Sequence, residues 1–116
     1  MEKFMYLFRG GDNHAHNAAD SEVAKKNMLA WMNWMGGLQQ KGILVAGEPL
    51  QPTGKQISGK NKLISDGPFV EAKEIVGGFL IVNAKNIDDA VEISKGCPIF
   101  EENGKLEVRP IQKMEM

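Results

Sequence analysis

The chain has 116 residues, 42% apolar and 25% charged, which is one domain's worth of ordinary globular composition and leaves no room for a second core. Lys and Arg (14) nearly balance Asp and Glu (15), for a net charge of -1; the basic residues are scattered, so direct nucleic-acid binding, which needs a basic footprint, is not expected. A single cysteine, Cys97, excludes an intramolecular disulfide, and no run approaches the roughly 18 apolar residues of a membrane span.

The N-terminus MEKFMYLFRG carries an acidic residue and an apolar run too short for the core of a secretory signal. A cytoplasmic protein is therefore expected. Lys3 to Arg9 reads as a strand, with Phe4, Tyr6 and Phe8 on one face and Met5 and Leu7 on the other. Both faces are apolar, which places it centrally in a covered sheet. Gly10 to Ala19 is small and polar and reads as a loop.

Asp20 or Ser21 then caps a helix. Along it Ala24, Met28, Trp31, Met35 and Leu38 recur at helical spacing and Met32 widens the stripe. Gly36-Gly37 weakens this helix by roughly 1 kcal/mol per glycine, which points to close approach of another backbone. Gly42 ends it.

Ile43 to Leu50 begins as a strand that Gly47 and Pro49 are expected to break. Gln51 to Asn61 reads as a loop with a weak strand around Gln56-Ile57, and Leu63-Ile64 as a short strand. Gly77 to Ala84 is a second strand apolar on both faces. Asn86 caps a short helix over Ile87 to Lys95, with Asp88 and Asp89 favourable in its first turn and Gly96 and Pro98 stopping it. Asn103-Gly104 is a tight-turn pair. Lys105 to Ile111 alternates as a strand, with Pro110 at an edge or exit.

The order is strand, helix, strand, twice over. It predicts an α+β, ferredoxin-like βαββαβ domain: a four-stranded antiparallel sheet with two helices on one face. Since both long strands are apolar on both sides and nothing left in the chain covers the second face, a homodimer through the sheet faces is expected.

The stretch SDGPFVEAKE, Ser65 to Glu74, is unusual. Asp66-Gly67-Pro68-Phe69 followed by Glu71-Ala72-Lys73-Glu74, then Gly77-Gly78-Phe79, resembles the signature of the D-G-P-F branch of the YCII-related family. Trp31-Met32-Asn33-Trp34-Met35, Gly96-Cys97-Pro98 and Glu107-Val108-Arg109-Pro110 are similar as well, so the resemblance spans nearly the whole chain. It implies a ferredoxin-like fold pairing into a dimeric α/β barrel. Branch members are mostly of unassigned function, some beside or fused to alternative sigma factors; relatives with this barrel include muconolactone isomerases, a chloromuconolactone dehalogenase and small monooxygenases. In the YCII branch proper a His-Asp pair is the proposed active site, and neither His14 nor His16 clearly matches that histidine.

The residues themselves allow a plain and a chemical reading. Asp66 is either a turn residue accepting from the backbone of Phe69 or Val70, or a carboxylate at a pocket mouth acting as base or as ligand anchor. Glu71, Lys73 and Glu74 are a solvated edge or a polar lining. His14 and His16 lie in a glycine-rich loop with no third metal ligand evident, so no metal is expected, and His14 is the candidate partner of Asp66. Trp31, Trp34 and the Met stripe are core or dimer interface; Trp34, off the main stripe, is the better candidate for a ligand contact. Cys97, after a helix C-terminus, is a buried structural thiol. Arg109 pairs with Glu107 or holds an anionic substrate.

Phosphate loops, nucleophile elbows and dinucleotide fingerprints are absent from the sequence. The expectation is a cofactor-independent enzyme acting on a small anionic organic compound by acid–base chemistry, isomerase- or lyase-like. Asp66 and His14 would be catalytic, and Arg109, Trp34, Glu71 and Lys73 would bind substrate. The alternative is a small-ligand-binding or regulatory module associated with transcription.

Overall fold

A computed structural model describes residues 1–10, 22–67 and 75–114. Its elements in chain order are β1 (Glu2–Gly10), α1 (Glu22–Gln40), β2 (Leu44–Pro49), β3 (Gly54–Ser58), β4 (Leu63–Gly67), β5 (Val76–Ala84), α2 (Ile87–Ser94), a 3₁₀ turn (Pro98–Glu102) and β6 (Gly104–Pro110). The main sheet has the order β2-β5-β1-β6, and β5, β1 and β6 pair antiparallel through it. This is the ferredoxin-like α+β arrangement expected from the duplicated strand–helix–strand pattern.

Alternation in the two long strands decides which face is core. Phe4, Tyr6 and Phe8 of β1 and Leu80, Val82 and Ala84 of β5 are buried. Trp31, Trp34, Met35, Ile93, Leu106 and Val108 pack onto that cluster, so both helices cover the same face. Two hydrogen bonds tie the helical layer down. The Tyr6 hydroxyl, buried in the sheet, donates to the Ala90 carbonyl of α2 at 2.5 Å. Trp31 Nε1 of α1 donates to Oε2 of the buried Glu102 at 2.8 Å. Trp31 also meets Phe8 edge-on, with centroids 5.0 Å apart.

Local signals in the second half act as read. Asn86 accepts from the backbone N–H of Asp89 at 2.9 Å and caps α2. Asn103, in the left-handed region at φ 61°, ends the 3₁₀ turn and leads into β6. Gly42, at φ 73°, closes α1. Pro110 lies at the end of an edge strand. The capping candidates Asp20 and Ser21 lie outside the described residues.

Several expectations are corrected. Gly47 does not break β2, which runs through it and ends at Pro49. β2 is an edge strand, where a proline's missing donor is tolerated. Gly47 is there because a Cβ would come within 2.7 Å of the Phe79 carbonyl oxygen and strike the Leu80 side chain. The segment read as a loop with a weak strand contains β3, which pairs with β4 in a separate two-stranded sheet (Lys55 opposite Asp66, Ile57 opposite Ile64). Gly36-Gly37 has no other described backbone against it: among the described residues a Cβ at either position would meet nothing within 4 Å. Met28 and Met32, assigned to the helical stripe, are 60% and 59% exposed; of the stripe only Trp31, Met35 and Leu38 belong to or pack on the core cluster. Trp34, although off the main stripe, joins the core as its plain reading had it and stacks on Tyr6.

The other face of the sheet carries Met5 and Leu7 opposite Ile81 and Phe79, flanked by Arg9, Glu107 and Arg109. These four apolar side chains are only partly buried, and none of the described elements forms a layer over them. The strand alternation seen in the sequence accounts for this open apolar stripe.

Candidate functional site

The open face is where charge and apolar surface meet. Leu7 lies opposite Glu107 and Met5 opposite Arg109 in the β1/β6 register. Arg9, two residues along β1 from Leu7, reaches back to Glu107. Its Nη1 donates to Glu107 Oε1 at 3.0 Å, while Arg109 Nε stands 3.9 Å from Glu107 Oε2. Two guanidinium groups thus share one carboxylate. Arg9 is the better sequestered, with its side chain 27% exposed against 68% for Arg109. Its Nε is buried and has no hydrogen-bond partner among the described residues. The guanidinium fork suits a carboxylate or another planar oxyanion.

Asp66 sits on β4, on the hairpin. Its carboxylate is paired with Lys55 directly across the ladder, and the Asp66 side chain is 82% exposed. Lys55, Asp66, Thr53, Gly54 and Gly67 edge a shallow hollow of about 480 Å³. The turn partners considered for Asp66, Phe69 and Val70, lie outside the described residues, as do His14, His16, Glu71, Lys73 and Glu74. What the structure shows for Asp66 is a cross-strand ion pair.

Trp34 lies on the other side of the sheet. It stacks on Tyr6 with centroids 6.3 Å apart and planes at 23°, and meets Trp31 edge-on at 6.0 Å. Tyr6 and Met5 point to opposite faces of β1, so a ligand touching Arg109 and one touching Trp34 are separated by the sheet within a single chain. The residues singled out from the sequence therefore fall in three places: Arg109 on the open face, Asp66 on the hairpin, and Trp34 against the helical layer.

Cys97 is buried, 3% exposed, and its Sγ accepts from the Ile99 N–H at 3.5 Å. Burial pushes the thiol up to about 12, opposed by that N–H and reinforced by nearby Glu102, which makes it the inert structural thiol expected. Burial, with Asp89 and Cys97 nearby, likewise pushes the Tyr6 hydroxyl well above its ordinary range. Among the described residues no cluster of three or more His, Cys, Asp or Glu side chains could hold a metal, and no helix is long and apolar enough to cross a membrane.

Sequence reasoning missed Arg9, Lys55 and Glu102. Arg9 looked like the polar end of a strand; only the β1/β6 register brings it to Glu107. Lys55 lay in a segment read as a loop. Glu102 gave no signal, since burial of a carboxylate follows from the Trp31 donor placed over it.

No curated protein matches the chain. A solved structure of 5-chloro-2-hydroxyhydroquinone dehydrochlorinase from Burkholderia phenoliruptrix AC1100, in complex with 2,5-dihydroxybenzoquinone, is similar over 93% of each chain at 17% identity, with a TM-score of 0.49. The YCII-related domain matches residues 3–115, nearly the entire sequence. The chain belongs to the YCII-related domain family.

Proposed function

We propose that this domain works as a pair of chains joined through their open sheet faces, and that it binds a small anionic organic compound beside Arg9 and Arg109. Its chemistry would be acid–base, of the isomerase or lyase kind, with Asp66 as the base and no organic cofactor. His14 remains the proposed partner of Asp66, with Glu71 and Lys73 as proposed polar lining; all three lie outside the described residues.

The observation that carries this reading lies at the β1/β6 edge of the open face: two guanidinium groups beside one carboxylate, with Arg9 Nε buried and unpartnered among the described residues, while Glu48 stands opposite Phe79 at the far edge. A buried donor without an acceptor costs about 1–3 kcal/mol, a cost that a ligand oxygen would remove. The stripe of Met5, Leu7, Phe79 and Ile81 offers an apolar wall beside it. Closing that face with a second copy would exclude water and strengthen the charge contacts.

The hairpin carries Asp66 out from the main sheet, and β3 and β4 pack chiefly on each other. In the proposed pair, the hairpin of one chain reaches the open face of the other. Sedimentation of the intact chain is expected to give a dimer. A set of small organic acids is expected to include at least one that raises the melting temperature. Arg9→Gln and Arg109→Gln should each weaken that ligand tenfold or more, while Asp66→Asn should bind it and lose turnover followed by NMR. Unchanged binding in both arginine variants would overturn the reading.

If no acid binds, the ligand-binding or regulatory module acting through protein contacts takes precedence. The hairpin favours that second reading, because its Ile57, Leu63 and Ile64 are 66%, 69% and 69% exposed.

A further inference from the structure

On the helical side of the molecule, the adjoining edges of α1 and α2 bound a groove of about 420 Å³. We propose that this groove is a second ligand site, separate from the open sheet face, for a flat aromatic anion whose ring lies against Trp34 and whose charge meets Lys41.

The first argument comes from the glycines. An interior glycine weakens a helix relative to alanine, and Gly36 and Gly37 stand in the second half of α1. Neither has a neighbour among the described residues that would exclude a side chain: a Cβ at each would meet nothing within 4 Å. Close packing within the described chain therefore does not account for them. Gly37 shares an edge of α1 with Asn33 and Lys41, four residues away on either side, and all three line the groove. A side chain at Gly37 would occupy it. Across the groove, Gly96 closes against the Trp34 ring, where a Cβ would come 3.2 Å from Nε1 and 3.3 Å from Cδ1.

The second argument is the wall. Trp34 is fixed from behind by Tyr6 and from the side by Trp31. Its indole is a rigid, half-buried surface, and such a surface stacks on a flat ring at little entropic cost. Leu38, Ile43 and Ile93 complete an apolar lining.

The third is charge. Of the two ionisable side chains in the groove, Glu92 is engaged by Lys95 at 2.8 Å, whereas Lys41 makes no ion pair with another described residue. The groove therefore offers a cation beside an apolar floor. Its volume falls within the roughly 300–1,000 Å³ of small-molecule sites.

The test uses naphthalene-2-sulfonate, a flat aromatic anion, with the intact chain. Amide NMR shifts are followed at Gly37, Lys41 and Gly96, together with tryptophan quenching. The parent is expected to show one saturable site with shifts at those three amides. Gly37→Leu should weaken it tenfold or more and Gly37→Ala by less, while Gly36→Ala, on the other edge of the helix, binds as the parent does. Lys41→Gln should weaken binding several-fold and flatten its salt dependence, and Arg109→Gln should leave it unchanged. Should Gly37→Leu fail to fold, Gly37→Ala against Gly36→Ala reads the same difference. The proposal is overturned if the parent shows no saturable binding, if both Gly37 variants bind like the parent, or if the shifts fall on β1 and β6 instead.

Discussion

The β1/β5 pair and the β3/β4 hairpin are both antiparallel ladders with β-branched or aromatic residues in register, yet their side chains end in opposite environments. On β1/β5, Tyr6 and Val82 are fully buried beneath two helices. On the hairpin, Ile57 and Ile64 face each other across the ladder and both remain mostly in water. An isolated two-stranded hairpin is marginal in water, so the chemistry of a strand does not decide its burial. What decides it is whether a second layer is stacked on it. The same lesson applies to the two sides of the main sheet, one closed by helices and the other open.

That contrast can be broken most forcefully at the helical layer. Trp31→Phe leaves the buried Glu102 carboxylate without its donor, and loss of a partner to a buried charged group costs about 3 kcal/mol. The expected fall in midpoint is about 10 °C on thermal unfolding.

A smaller effect is expected at alkaline pH. Cys97 and Tyr6 are both held neutral in the fold by burial, with pKa values raised above those of the unfolded chain. The unfolded state therefore loses these protons first as pH rises, and stability falls above about pH 9. The midpoint should drop by several degrees between pH 8.5 and 10.5, and Cys97→Ala should flatten that descent.

Tyr6→Phe removes only the hydrogen bond to Ala90 and should cost about 1 kcal/mol, read as roughly 4 °C. Last comes the hairpin itself. Asp66→Ala breaks an exposed ion pair, worth about 0–1 kcal/mol, and should move the midpoint by less than about 4 °C. A loss much larger than this, or one that depends on protein concentration, would show that the hairpin is covered in solution. It would bring the two ladders closer together than a single chain does.

Much of the frame was legible in the residues. The alternation in Lys3–Arg9 and Gly77–Ala84, the Asn86 cap and the Asn103-Gly104 turn are local signals, and each element appears where its signal lies. Gly47 misled because its local effect was read without knowing that β2 is an edge strand beside Leu80. Trp34 lies off the stripe on a helical wheel yet packs on the core, because a wheel gives angles around one helix and not the width of the surface beneath it. The candidate site was less legible still. Arg109 was picked out, but Arg9 shares Glu107 with it only through a register between strands nearly a hundred residues apart.

By itself, then, the sequence determined an α+β domain of duplicated strand–helix–strand units, with a buried thiol and apolar residues on both faces of its long strands. These follow from period, capping and turn chemistry, which act over a few residues. The tertiary structure alone decided that Arg9, Glu107 and Arg109 converge, that Lys55 meets Asp66, and that Trp34 and Arg109 lie on opposite sides of one sheet. Those outcomes depend on strand order and register, which are set by the packing of the whole chain.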